Sequence, residues 1–267
     1  MRSFFFDSST YTVAQPKLMG RNIASSGFFE AYLKYSTDKQ VGLYLGEGDR
    51  PDFDGIKKRL EKNLGARILF NHEAVTLPPN ATDLIYYPAP DIADTAVTRM
   101  VMGDPRRYSI CGITHTTASN RVADGITELL TKPVYPWDAL VCTSRAVATH
   151  VKFLMENEIK RLKKHIGASA FRLPQIPIIP LGIFSEKFIF SYAQKRAARN
   201  ALSISEDTTV FLYVGRLSFH AKAHPLAMYQ ALNIAAKTTG KKITLIEAGW
   251  FSNDSVSYTH LTLPTTT

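Results

Sequence analysis

Val210-Phe-Leu-Tyr-Val-Gly-Arg-Leu-Ser-Phe-His-Ala-Lys-Ala-His-Pro-Leu-Ala-Met-Tyr-Gln-Ala-Leu232 is the stretch whose reading decides the fold. Its first five residues form a short apolar run rich in β-branched and aromatic side chains, the pattern of a buried parallel strand. The run stops at Gly215, where the backbone can turn sharply and other groups can approach closely. Arg216 and Lys222 follow on the connecting loop. From Pro225 onward, Leu226, Tyr229, Ala231, Leu232 and Ala235 recur at helical steps. Strand, glycine, two cations and helix describe the carboxyl edge of an open α/β sheet, where phosphate ligands sit.

Upstream the same alternation repeats. Residues 3–6, 40–45, 67–70, 83–87, 108–114, 139–143 and the proline-interrupted 175–181 read as strands. Helices are expected over 24–34, 51–64, 91–102 and 119–130, and beyond Ser144, a good N-cap. The helix at 51–64 starts with Asp49 and Pro51 and stops at Gly65, and a turn is expected at 78–80. The stripe Phe28, Phe29, Tyr32 and Leu33 marks the core face of the helix over 24–34. Seven strands alternating with helices predict a mostly parallel, doubly wound sheet, because parallel neighbours need crossovers. A helix over 186–202, the strand after it and a further strand at 242–246 open a second domain.

Composition narrows the function classes. Lys and Arg number 32 against 23 Asp and Glu, and no apolar run approaches the ~20 residues that span a bilayer. The short apolar start is interrupted at Asp7, which argues against a signal peptide and for a cytoplasmic protein. The basic excess gathers in Lys152, Lys160, Arg161, Lys163 and Lys164, and in Lys187, Lys195, Arg196 and Arg199. A solvated helix face explains these first; peripheral contact with an anionic membrane is the second reading. Nucleic acid is not expected as a partner, since no binding motif or interleaved aromatic pattern is present. Cys111 and Cys142 lie in strand patterns and read as small hydrophobes. His72, beside Glu73, reads as solvated. His115 ends the strand at 108–114, on the ligand-gathering edge, with no carboxylate adjacent in sequence.

Gly215-Arg-Leu217 followed by Lys222 resembles the donor-binding loop of retaining, nucleotide-sugar-dependent glycosyltransferases with two Rossmann-like domains (the GT-B architecture), in the GT4-like or glycosyl transferase group 1 family. The resemblance implies that Arg216 and Lys222 hold the donor diphosphate, with Gly215 at the turn. Met19-Gly20-Arg21 and Ser26-Gly27-Phe28-Phe29 resemble the family's glycine-bearing segment that closes on the donor phosphates from the opposite domain. Gly20 is assigned to that role, with Gly27 the open alternative. A histidine at the end of a first-domain strand lies near the reacting sugar in the family, which points to His115 as the catalytic candidate. Trp137-Asp-Ala-Leu-Val-Cys-Thr-Ser144 and Ile178-Ile-Pro-Leu-Gly-Ile183 also resemble family segments. Where many relatives then carry an acidic residue, Phe184 and Ser185 stand, so no carboxylate role transfers.

The resemblance spans nearly all of residues 1–253 and implies a GT-B-like α/β fold. An acceptor-side Rossmann-like domain is expected over 1–184, and the start of a nucleotide-sugar-binding domain over 185–254. The Thr-rich tail at 255–267 resembles non-native read-through, a disordered tail being the alternative. The Glu-x7-Glu motif expected in the second domain is not found, so the chain reads as an inactive C-terminally truncated fragment. The implied donor is a nucleotide-diphosphate sugar, and the acceptor a sugar, lipid-linked or small-molecule hydroxyl. No cofactor and no metal are expected. A rival from another class is a non-catalytic α/β binding module whose basic surface takes anionic membrane or nucleic acid. Its binding would survive Arg216→Ala.

Overall fold

The computed structural model describes residues 1–7, 11, 19–45, 58, 68–71, 82–218, 222 and 225–251. His72, the turn expected at 78–80, the tail from 255 and, apart from Lys58, the helix expected over 51–64 lie outside them. The chain divides into two compact units, Met1–Ile183 and Phe184–Thr267.

The first unit is built on six strands: β1 (Arg2–Phe6), β2 (Val41–Leu45), β3 (Ile68–Asn71), β4 (Leu84–Tyr87), β5 (Ser109–Ile113) and β6 (Ala139–Val141). They lie in the order β3-β2-β1-β4-β5-β6, and every neighbouring pair is parallel. This is the order of Rossmann-like sheets. The described helices are α1 (Gly20–Tyr35), α2 (Ala93–Val101), α3 (Asn120–Thr127, continued by a 3-10 turn at Glu128–Leu130) and α4 (Arg145–Ile166). Ser144 caps α4 by accepting from the Val147 amide at 3.2 Å, and Gly167 ends it in the left-handed conformation. The strand expected at 175–181 is reduced to two isolated bridges, Gln175 with Ala139 of β6 and Ile178 with Cys142 just beyond it. Pro177 has no N–H to give a ladder.

Successive side chains along each strand go to opposite faces, and both faces are apolar. Phe4, Phe6, Tyr86, Ile113 and Val141 join Phe29 and Leu33 of α1 in one cluster. Ile85, Ile110, Leu140 and Cys142 join Ala96 of α2, Ile126 of α3, and Val151 and Met155 of α4 in the other. Phe4 is the hub of the first layer, with ring centroids of Phe29, Tyr32 and Tyr86 at 5.0, 4.9 and 5.3 Å. Both cysteines are free thiols, and Cys142 is buried.

Helix α1 starts four residues before the expected position. Its buried face is Asn22, Ser25, Phe29 and Leu33, so two polar residues extend the stripe that apolar spacing alone begins at Phe28. Gly20 is therefore the first helical residue and Gly27 an interior one, and neither is a loop glycine. A Cβ at either position meets nothing within 4 Å.

The second unit holds α5 (Tyr192–Ala201), β7 (Thr209–Val214), α6 (Pro225–Thr239) and β8 (Ile243–Ala248). Strands β7 and β8 pair in parallel across α6 as one β-α-β unit. Two expectations need correction here. The helix expected over 186–202 is a 3-10 turn at Ser185–Phe188 followed by α5, because Ser191 and Gln194 form a capping box that starts the helix anew. Strand β7 is also not buried: Leu212 is 63% and Val214 72% exposed. Among the described residues β7 has a single strand neighbour, and α5 and α6 leave parts of its faces uncovered. Among the described residues no helix is long and apolar enough to cross a membrane.

One ion pair ties the amino ends of β5 and β6 to α2. Arg99 is 2% exposed and Asp138 is fully buried. The guanidinium donates to both carboxylate oxygens at 2.7 Å and to the Tyr108 and Pro133 carbonyls at 2.7 and 3.2 Å. The carboxylate also accepts from the Ile110 and Tyr135 amides, each at 2.9 Å. The Tyr108 and Tyr135 rings lie 5.7 and 5.6 Å from the Arg99 guanidinium carbon. Breaking such a pair leaves an uncompensated charge in the core. Asp138→Ala is expected to cost about 3–5 kcal/mol in equilibrium denaturation. A loss below about 1 kcal/mol, the worth of an exposed pair, would contradict this account.

Candidate functional site

In the first unit β2 and β3 lie on one side of β1, and β5 and β6 lie beyond β4 on the other. Right-handed crossovers running in opposite directions put their helices on opposite faces and open a crevice at the carboxyl ends of β1 and β4. A cavity of about 420 Å³ occupies this place, within the size range of small-molecule sites. Phe5 and Asp7 from the end of β1, Arg21 from the first turn of α1, and the segment from Tyr87 to Asp91 after β4 line it. His115 and Thr116 after β5, and Ser119, Arg121 and Val122 at the start of α3, complete the wall.

Local packing explains why these groups converge. Gly112 on β5 lets the segment after β4 lie directly across the strand. A Cβ there would stand 2.6 Å from Ile92 Cγ2 and 2.7 Å from the Ala89 carbonyl oxygen. The Ile113 amide donates to that same carbonyl at 3.2 Å. Asp91 is thereby held at the cavity wall, where its Oδ2 accepts from Arg121 at 3.2 Å. Thr114, buried between β5 and β6, donates through its hydroxyl and its amide to the Val141 carbonyl, so the chain turns outward only at His115.

Burial pulls the His115 pKa below the usual 6.5, with the Arg21 charge acting in the same direction and the Pro88 backbone opposing it. The ring is neutral at pH 7. Its Nε2 is buried and has no hydrogen-bond partner among the described residues, and the same holds for Asp91 Oδ1. A neutral imidazole carries one N–H and one lone pair, so Nε2 can meet either an acceptor or a donor. Burial, followed by the charge of Asp91, pushes the Tyr87 phenol up to about 12, so it stays protonated. Neighbourhood in sequence therefore misses the carboxylate that shares the cavity with His115. The signal was the Pro88-Ala-Pro-Asp91 turn at the carboxyl end of a strand.

The second unit carries the other expected residues. Strand β7 ends at Val214 and is followed by Gly215, whose φ of 157° suits glycine. The Gly215 amide donates to the Ala248 carbonyl at 2.9 Å, and its own carbonyl passes so close to Gly249 that a Cβ there would lie 1.7 Å from the oxygen. Glycine at 249, unremarked in the sequence, is a condition for this edge. Arg216 is half-buried, with its guanidinium carbon 5.8 Å from the Trp250 ring centroid, and its Nε is buried without an acceptor among the described residues. Lys222 lies further along the same β7–α6 connection and is exposed, its amide donating to the Ser218 carbonyl at 2.9 Å. A small cavity of about 30 Å³ beside Tyr213, Leu217 and Phe251 has room for little more than solvent.

Arg216, Lys222 and Gly215 thus share one loop of the second unit. In the first unit His115 lines the switch-point cavity, and Gly20 stands one residue before Arg21, which also lines it. Among the described residues no group of His, Cys, Asp and Glu could hold a metal ion.

Because the folded state holds His115 neutral, protonation opposes folding of its surroundings. Stability from this group is present above the unfolded pKa of about 6.5 and is lost as pH falls through the lower folded value. In a proton NMR titration the His115 ring is expected to titrate below pH 6.5; a midpoint above it would contradict the buried environment. No protein-family model matches the chain, and no curated protein matches it.

Proposed function

We propose that the chain is part of a retaining glycosyltransferase of GT-B architecture, moving a sugar from a nucleotide-diphosphate sugar to an acceptor hydroxyl. In the reaction the bond from the anomeric carbon to the diphosphate oxygen breaks, and a bond to the acceptor oxygen forms on the same face. The acceptor's proton leaves with the departing phosphate oxygen. Negative charge grows on that oxygen, and cations fixed beside it lower the barrier. A unit cation at ~4 Å is worth about 4 kcal/mol at an effective dielectric near 20. Arg216 would make the bidentate phosphate contact and Lys222 the point-charge contact, with His115 meeting a sugar hydroxyl.

The observation that supports this reading most is the Arg216 Nε, a buried cationic donor with no acceptor among the described residues, at the carboxyl edge of a parallel strand. Buried donors of this kind call for an anion. Its half-buried position, with the guanidinium beside Trp250, limits how far the fork can wander before a phosphate arrives.

The test is calorimetric titration of UDP, GDP and ADP, with their nucleosides as controls, against wild type, Arg216→Ala and Arg216→Lys. Arg216→Ala is expected to weaken binding of the preferred diphosphate by about 1.5–3 kcal/mol, roughly ten- to over a hundredfold. Arg216→Lys should not restore it, since an ammonium lacks the planar fork. Nucleoside binding should hardly change. Equal losses for diphosphate and nucleoside would mean that Arg216 supports the fold instead.

A further inference from the structure

We propose that the outward face of α4 docks on the anionic surface of a lipid bilayer, with Arg145, Lys152, Lys160, Lys163 and Lys164 at the headgroups and Phe153 entering the interface between them. Such docking is independent of the transferase reading.

Helical periodicity gives α4 two faces. Its buried residues are Ala148, Val151, Met155 and Leu162, and the first three pack in the core with Ile110 and Leu140 of the sheet. On the opposite side Arg145, Lys152, Phe153, Lys160, Lys163 and Lys164 recur at steps of three, four and seven, and every one is exposed. Phe153 is 57% exposed, a large ring at the middle of a cationic strip about 30 Å long.

These cations are not neutralised within the chain. Arg161 donates to both Glu158 oxygens at 2.7 and 2.6 Å, which accounts for that pair. The five cations of the strip make no ion pair among the described residues, and of the helix's carboxylates only Glu156 remains against them. The helix dipole favours Lys163 and Lys164 in the last turn, but it opposes Arg145 in the first and does nothing for Lys152 and Lys160. The basic cluster of the second unit differs. There Arg196 lies 3.9 Å from Glu206, Arg199 donates to the Ser205 and Thr208 carbonyls at 2.9 and 3.2 Å, and Lys187 lies 4.5 Å from the Phe184 ring centroid. A cluster of Lys and Arg along one helix face complements the negative potential of an anionic leaflet. Phe153 selects among anionic partners, since an exposed ring on such a face finds apolar surroundings at the headgroup–acyl boundary. A nucleic acid duplex has no such boundary, and a single strand calls for a groove that a convex helix face lacks.

The test is flotation of the full chain with vesicles of phosphatidylcholine, and with vesicles in which half of that lipid is replaced by phosphatidylglycerol, at low salt and at about 0.15 M. Binding to the anionic vesicles alone is expected, and it should weaken as salt rises. Lys160→Gln combined with Lys164→Gln should reduce it about 25-fold, at about fivefold per lysine. Phe153→Ser should reduce it about three- to tenfold, and that loss should persist at the higher salt, where the lysine effect shrinks. Lys187→Gln combined with Arg196→Gln, in the second unit, should leave binding unchanged. Thermal melts identify any variant that fails to fold, and Arg145→Gln with Lys152→Gln then takes its place. No binding of folded wild type to anionic vesicles at low salt would overturn the proposal. So would equal binding to both kinds of vesicle, or undiminished binding by the folded α4 variants. Preference for a short DNA duplex over anionic vesicles of equal total charge would assign the face to nucleic acid and overturn it too.

Discussion

The reversal of strand order between β1 and β4 is the constraint on which the first unit depends. Parallel strands need crossovers, and crossovers of one hand leave a sheet on opposite faces when they run in opposite directions. Both faces must then be apolar, as the layers around Phe4 and Ile110 are. The crevice at the reversal is what remains where neither set of helices covers the strand ends. Arg99 and Asp138 secure the far end of β5 and β6, leaving the carboxyl edge to carry the polar groups. Fold and cavity therefore have one cause.

Both units carry buried polar atoms with no partner among the described residues. The second unit presents the Arg216 Nε, a cationic donor after a parallel strand. The first presents Asp91 Oδ1 and His115 Nε2 at the cavity of the strand-order reversal. A buried guanidinium donor suits an anion, and this is the observation on which the proposed reaction rests most.

Much of this architecture was legible because strands and helices advertise themselves by local period. The runs ending at Phe6, Tyr87, Ile113 and Val141 needed no neighbours to be recognised. Helix starts were less legible where polar residues decide them: Asn22 and Ser25 lie on the buried face of α1, and Ser191 with Gln194 restarts a helix that composition alone runs back to Glu186. Burial of β7 was misjudged because an apolar run does not say whether other layers cover it. The partners that matter most were invisible, since tertiary folding alone unites Arg99 with Asp138, 39 residues on, and brings Asp91 into the cavity of His115. His115, Arg216 and Lys222 could be named from their position after strand ends, but the partnerless buried atoms of His115 and Arg216 could not.

The central claim is that the loop after β7 binds a diphosphate through Arg216. Amide chemical-shift mapping on an isotope-labelled sample titrated with UDP, and separately with uridine, tests it most directly. The account predicts that UDP perturbs amides at 215–217 and 222 and that uridine leaves them nearly unmoved. A UDP response confined to the first unit's cavity, or equal responses to both ligands at 215–217 and 222, would contradict it.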